Sequence, residues 1–380
     1  MARKNQNNNT VILYGVGDVR PYRRNPEYPY KDPLFTLSAP ITKNGDIVFC
    51  NLEGILSTRP NPKYYSLIHP DNIKDVTEAG FNVANNANNH HMDAGVEAFI
   101  DTLNCLKNNN IHPVGVGMNI AEARTAVIVG CKGVKVGFLG YSSLISKGEI
   151  SYDAEDDRPG CAPMYINTYY EATDWHPGSP FPRIVTIAEE EDLAAMVDDV
   201  KRAKARADVV VISFHWGVHR MPGIIAQYEY TVGKAAIDAG ADLILGHGAH
   251  ILKGISVYKG KVIFHNLGNF AADAPVQKRS LGDVRHDALF YVEPDPEYPT
   301  FKGSVDGRKM IIVKATITDK QIQKVSFLPV MVNRLGQPEP LSHNDKRSEE
   351  VFDYVKWCCQ DQKIDTKFMR EGDEITIITD

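Results

Sequence analysis

The sequence predicts an α/β protein with strands buried on both faces, and three observations predict it. Short, almost wholly apolar runs such as Val209–Phe214, Leu243–Leu245 and Val262–Phe264 lack polar alternation, as expected of strands covered by helices. Amphipathic stretches flank them. Over Glu189–Arg206, Leu193, Met196, Val197 and Val200 form one apolar stripe, with acids in the first turn and Lys/Arg in the last, and a second helix is expected near Ala226–Ala239. Each apolar run also stops abruptly in His, Asn and Gly. In open α/β sheets ligands bind outside the carboxyl ends of strands, so imidazoles placed there point to a site.

The remaining elements follow in order. Val11–Val16 is the first strand, and Asp18 lies just past its end; alone, such an aspartate reads as a cap or turn residue. Residues 20–45, rich in Pro, Tyr and Arg, cannot form one regular element and read as a loop near the mouth of a site. Asp46–Cys50 is a second strand, again followed by a carboxylate, Glu53. Ile73–Ala79 reads as a helix stopped by Gly80, and Phe81–Ala84 as a third strand. It runs into Asn85–Gly95, where four Asn and two His fall within seven residues. A polar loop with asparagines in left-handed turns is the plain alternative; the position beyond another strand favours a site. A helix over about Val96–Asn109 follows, then short strands or turns at Ile111–Gly117 and Thr125–Val129. Val134–Tyr141 is another buried strand.

Residues 145–183 break this rhythm. A loop so long in a compact domain is a functional lid or an inserted element. Its aromatics, Tyr152, Tyr165, Tyr169, Tyr170, Trp175 and Phe181, either line a pocket or pack the insertion onto the core. Beyond residue 271 the sequence predicts a hairpin, Met310–Thr318 and Gln321–Val332 around Asp319-Lys320, a helix near Glu349–Gln360 and a last strand at Glu374–Thr379. No linker or repeat divides the chain. A single domain is expected, its core over residues 1–275 and a C-terminal completion over 276–380.

Of the 380 residues 43% are hydrophobic, enough for a large core, and 42 basic against 48 acidic residues give a net charge of −6. That balance argues against nucleic acid or an anionic membrane as the main partner. The polar N-terminus has no apolar signal region and no run of ~18 apolar residues follows, so a cytoplasmic protein is expected. The cysteines (Cys50, Cys105, Cys131, Cys161, Cys358 and Cys359) form no C-x-x-C pair and read as reduced thiols.

Collected, the strand-end residues are Asp18, Glu53, Asn89, His90, His215, His247 and His250. Oxygen and nitrogen donors without thiolates suit Zn, Mn or Fe. One ion needs only about three or four such groups. The surplus points to two divalent ions, about 3.5–4 Å apart, able to clamp an attacking and a leaving oxygen together.

In order along the chain stand G-D at Gly17-Asp18, N-L-E-G at Asn51–Gly54, A-N-N-H-H-M-D-A-G at Ala87–Gly95, H-W-G at His215–Gly217, G-A-D-L-I-L-G-H-G-A-H at Gly240–His250 and N-L-G-N-F at Asn266–Phe270. Over roughly residues 11–275 this resembles the CapA family, the poly-γ-glutamate capsule synthesis type of calcineurin-like metallophosphoesterases. The resemblance implies a four-layer αββα sandwich with a dinuclear centre. It places Asp18 and His250 on the first metal, Glu53 at the bridging position, and Asn89, His215 and His247 on the second. His90 would protonate the leaving oxygen or hold the scissile group, oriented by Asp93. Three departures stand out. Arg20 occupies the place of a ligand histidine, Gly248 that of the middle His in G-H-H-P-H, and His265-Asn266 replaces Tyr-Ser. Arg20, His219, Arg220, His265 and Asn266 are the candidate substrate-binding residues.

The expected function is hydrolysis of a phosphate ester or related small anionic substrate by metal-activated water. The alternatives are an accessory protein that binds poly-γ-glutamate during its assembly, or a γ-glutamyl amide hydrolase.

Overall fold

Among the described residues, ten strands hydrogen-bond into one sheet and six into another. This computed structural model describes residues 9–26, 28–59, 67–144, 153–171, 183–272, 295–301 and 303–379. In the first sheet the strand order is Lys367–Glu371, Glu374–Ile378, Gln321–Val332, Lys309–Thr318, Val11–Arg20, Ile47–Leu52, Val83–Asn85 and His112–Val114. Asn269–Ala272 also pairs with the first strand, and Pro338–Pro340 with Gln321–Val332. The second sheet runs Ile255–Tyr258, Lys261–Phe264, Leu243–His247, Val209–His215, Val134–Ser142 and Val127–Cys131.

The two sheets face each other. Leu13, Phe49 and Val83 of the first meet Phe138, Val211 and Leu245 of the second in one apolar cluster. Outside the first sheet, Val48, Cys50 and Leu328 pack against Ile73 and Val76 of the helix Ile73–Glu78, and against Leu106 of the helix Val96–Asn108. Outside the second, Ile212, Phe214 and Ile244 are covered by Met196 and Val200 of Glu190–Lys204 and by Val232 and Ala236 of Gln227–Ala239. Helix, sheet, sheet, helix: this is the four-layer arrangement expected. The inner strands Val209–His215 and Leu243–His247 of the second sheet are buried along their whole length, which is why their sequence shows no alternation.

Residues beyond 300 are built into this frame. Lys309–Thr318 runs antiparallel beside Val11–Arg20, placing Val11 opposite Ile317. Asp319 and Lys320 both take positive φ, the conformation a two-residue hairpin turn requires. The helix Lys346–Asp361 inserts Val351, Phe352, Val355 and Cys359 into the inter-sheet core beside Ile255 and Phe327. The strand Lys367–Glu371 is an addition to the sequence reading.

In the insertion, Gly160–Cys161 pairs with Val116–Gly117, and Ile166–Glu171 pairs with Arg183–Ala188 as a ribbon. Tyr165 donates its hydroxyl to Asp153 at 2.7 Å. Tyr169 and Tyr170 are 54% and 70% exposed. Tyr152, Trp175 and Phe181 lie outside the described residues.

Candidate metal centre

The parallel strands of both sheets end on one side, and their ends are drawn together by close backbone approaches. A Cβ on Gly17 would lie 1.9 Å from the Gly268 carbonyl oxygen, so only glycine lets the loops after Val11–Val16 and Phe264 touch. Asp18 pairs with both Asn51 and Asn269 across the strand ends. The Asp18, Glu53 and His250 ligand atoms all lie within 4.8 Å of one another.

Glu53 is the unusual member. It is 0% exposed, and neither carboxylate oxygen has a hydrogen-bond partner among the described residues. Its Oε1 instead faces three imidazole nitrogens: Nε2 of His250 at 3.5 Å, of His90 at 3.8 Å and of His215 at 3.9 Å. Those separations are too long for hydrogen bonds. Burying an unpaired carboxylate costs several kcal/mol on the order of magnitude of ion desolvation. A divalent cation among these oxygens and nitrogens would remove that cost, so the donor set fits one.

Side-chain amides hold the donors in place. Asn269 accepts from His250 Nδ1 at 2.9 Å and donates to the His250 carbonyl at 3.1 Å, which leaves Nε2 facing Glu53. His250 itself sits at φ +58°, a left-handed conformation the two amide contacts secure. Asn51 donates to Asp18 Oδ1 at 2.8 Å and lies 3.3 Å from His215 Nδ1, while its own oxygen accepts from Asn85 at 2.8 Å and Asn88 at 3.4 Å. Asn89 Oδ1 lies 2.9 Å from His215 Nε2. Asp93 Oδ2 lies 2.7 Å from His90 Nδ1, turning Nε2 toward Glu53.

Charge is distributed unevenly. Burial would raise Asp18, but the hydrogen bond and charge of His250, with His215 and His247, hold it far below the usual carboxylate range. Burial keeps His215 and His247 neutral, well below ordinary imidazole for His215. His250 runs the other way: burial would lower it, yet Glu53 and Asp18 raise it.

The remaining candidates separate into three groups. His247 lies in a layer beneath the others, Nε2 on the Val16 carbonyl at 3.1 Å and Nδ1 on Ser213 at 3.2 Å. Both ring nitrogens are thus engaged by the scaffold, apart from the Asp18, Glu53 and His250 group. Arg20 and the turn carrying His219 and Arg220 are at the rim. Burial would lower the Arg20 guanidinium, but Tyr22, Glu53, Asp93 and Asp18 raise it. The His219 ring sits 4.8 Å from that of His250, and burial beside His250 and Arg220 pushes it down to about 3. His265 and Asn266 correct the sequence reading. The His265 ring turns to the outer face of the second sheet, between Trp216 and Tyr230. Asn266 folds back to accept from the Gly268 amide at 3.0 Å. His265 directly follows Phe264, whose side chain fills the inter-sheet core, so strand alternation sends the imidazole to the opposite face.

Sequence reasoning passed over Asn51, Asn85, Asn88 and Asn269. The signal was present: each stands in a stretch already singled out for its other polar residues.

Comparison with known proteins identifies the family of the chain. Residues 13–274 match the family model described as bacterial capsule synthesis protein PGA_cap. The capsule biosynthesis protein CapA of Bacillus anthracis is 30% identical over 280 residues, 71% of this chain and 62% of its own length. The PGA biosynthesis protein CapA of Bacillus subtilis (strain 168) is 30% identical over 267 residues, 68% of this chain and 62% of that protein. This chain therefore spans about three-fifths of the length of these relatives. Among solved structures, the calcineurin-like phosphoesterase YfkN from Bacillus subtilis aligns with a TM-score of 0.42 at 13% identity, over 92% of this chain and 97% of its own. With one family model matching most of the chain and both CapA proteins meeting it over more than two thirds, the chain belongs to the bacterial capsule synthesis protein family.

Proposed function

We propose that the chain is a divalent-metal-dependent hydrolase of a phosphate ester or a related anionic substrate. The observation that carries this reading is Glu53, a fully buried carboxylate with no hydrogen-bond partner among the described residues and three imidazole nitrogens at 3.5–3.9 Å. Asp18, Glu53 and His250 are the residues that would hold one ion; His215, 3.9 Å from Glu53, and Asn89 beside it would be the donors for a second. When bound, Mn, Zn or Fe ions offset negative charge developing on a phosphoryl oxygen and make water a competent nucleophile near neutral pH. The chain's own groups do the rest. His90, held at Nδ1 by Asp93, presents Nε2 toward the cluster and gives its proton to the leaving oxygen. Arg20, in the field of Glu53, Asp93 and Asp18, adds fixed positive charge at the rim and favours an anionic substrate. Asn269 and Asn51 keep His250 and Asp18 oriented.

A second reading draws on the relatives' names, which speak of capsule and PGA biosynthesis. In it the same centre holds a polyanionic chain without turning it over; a γ-glutamyl amide hydrolase is its catalytic variant. One experiment decides. Metal-loaded protein is assayed on phosphomonoesters, phosphodiesters and γ-glutamyl peptides, with His90→Ala alongside. The hydrolase reading expects the variant to keep its metal yet lose roughly 10²–10⁴-fold in turnover, the range for a lost general acid. The loss should shrink on nitrophenyl esters, whose leaving group needs no proton. No turnover of any class by the metal-loaded wild type, together with retention of polyglutamate, overturns it in favour of binding.

A further inference from the structure

The residue that left the metal centre belongs to a second polar cluster. His265 Nε2 lies 2.8 Å from Ser256 Oγ, and its Nδ1 lies 3.5 Å from Glu229 Oε2. The three residues come from separate elements. Ser256 is on the strand Ile255–Tyr258, His265 just follows Lys261–Phe264, and Glu229 is in the first turn of the helix Gln227–Ala239. Each is fixed. The ring of His265 stacks beside Trp216 at 6.3 Å between centroids and tilts against Tyr230 at 4.9 Å, and its carbonyl accepts from the Trp216 indole at 2.8 Å. Glu229 accepts the Ala226 amide on Oε1 at 2.7 Å, which keeps Oε2 on the imidazole side.

The order hydroxyl, imidazole, carboxylate is that of an activated nucleophile: the Glu229 carboxylate faces Nδ1 at 3.5 Å, beyond hydrogen-bond reach, and favours a proton there through its charge, while Nε2 is left to accept from the hydroxyl. His265 and Glu229 are buried, while Ser256 is only partly so. Ser256 lines a surface hollow of about 310 Å³, together with Tyr230, Lys234, Tyr258, Asp365 and Thr366. A buried base behind a serine that reaches a hollow is the layout that acyl transfer needs.

We propose that Ser256, His265 and Glu229 form a second, metal-independent site that cleaves carboxylic esters with short acyl groups. The hollow lies at the small end of the range for small-molecule sites, which sets the size limit. Ser256 Oγ bonds to the ester carbonyl carbon while its proton passes to His265 Nε2. The bond to the alcohol oxygen then breaks, its electron pair staying on that oxygen, which takes the proton from Nε2. Water attacks the acyl-serine by the same route and releases the acid, restoring the serine. Ser256 and His265 are the catalytic residues; Glu229 is a positioning residue.

The full-length protein is treated with an alkyl fluorophosphonate, once after chelation and once with metal added, and the modified peptide is mapped by mass spectrometry. Ser256 is expected to carry the phosphonyl group in both samples at the same rate. His265→Asn should slow labelling by about 10²-fold or more, and p-nitrophenyl acetate hydrolysis should fall in parallel, as for loss of a general base. Glu229→Gln should lower the rate and Glu229→Asp recover part of it. An unmodified Ser256 in folded wild type, or equal labelling in His265→Asn, overturns the proposal. Melting temperatures of the variants separate lost chemistry from lost structure, and the wild-type map stands whether or not a variant folds. Because chelation leaves this reaction intact but stops any at Glu53, failure of one site is distinguishable from failure of the other.

Discussion

Glu53 and Asp199 are both carboxylates buried in this chain, and they are treated in opposite ways. Asp199, on the helix Glu190–Lys204, accepts from the Tyr141 hydroxyl at 2.9 Å and Arg124 Nε at 2.7 Å, and pairs with Arg202. Glu53 has no such partner on either oxygen. The scaffold carboxylate is satisfied by donors the protein carries with it, as buried polar groups ordinarily are. Glu53 is surrounded by groups that are themselves acceptors or ligands. The difference teaches where to look: a buried acid left open among imidazoles has room for a cation, whereas one closed by arginine and tyrosine is holding elements together.

The strongest way to break this contrast is Glu53→Gln. Metal per chain and any phosphoesterase turnover should both be lost. The chelated variant should be at least as stable to urea as chelated wild type, because an amide removes an unpaired buried charge. A lower midpoint would show Glu53 to be scaffold after all. Asp199→Ala should do the reverse. It strands the Tyr141 hydroxyl and two guanidinium groups that still reach solvent, so a loss of about 2–3 kcal/mol is expected, less than for a fully enclosed pair. Metal content should not change; a fall in metal would mean that the two sites are coupled. Asn269→Ala sharpens the picture, since it frees the His250 ring without removing a ligand. Metal affinity should drop by roughly 10–100-fold with little change in the stability of the chelated protein.

A further expected effect is on pH dependence. Burial holds His215 and His247 below ordinary imidazole. The unfolded chain therefore takes up protons that the folded chain refuses once pH falls below about 6.5. Chelated protein should lose stability from pH 7 to 5, by up to about 1.4 kcal/mol per pH unit for each ring. His250, raised by Glu53 and Asp18 against the effect of burial, has the opposite sign: its contribution is present below about 6.5 and lost as pH rises through its raised value. Asp18, held low, contributes above about pH 3.9 and stays outside this window. Urea titrations at several pH values check the slope, which Asp199→Ala should leave unchanged.

The frame was legible because burial on both faces writes itself as uninterrupted apolar runs, and because site residues stand where those runs end. Alternation was the missing piece of reasoning at His265: one residue past Phe264 is one residue on the other face. His247 was harder. Its motif places it among the ligands, yet the structure puts it beside the Val16 carbonyl, a contact across the two sheets that no local pattern records. The asparagines around Asn51 were visible but uncharged, and a charge is what draws attention when donors are sought. The ribbon of Ile166–Glu171 and Arg183–Ala188 escaped for a different reason. Its large apolar residues, Tyr170 and Ile184 among them, face solvent, so burial leaves no pattern there to read.

The pairing of Val11 with Ile317 has a consequence for how this protein comes to be made. The first strand leaves the ribosome roughly 300 residues before one of its hydrogen-bonding flanks. Until then Val11, Leu13 and the apolar face they share with Ile47 and Phe49 wait with an open edge, a template for pairing with another nascent chain. Contacts so distant in sequence close slowly. Asp18 lies on that same strand, so the candidate centre shares a strand whose edge closes only when the hairpin of Lys309–Thr318 and Gln321–Val332 docks.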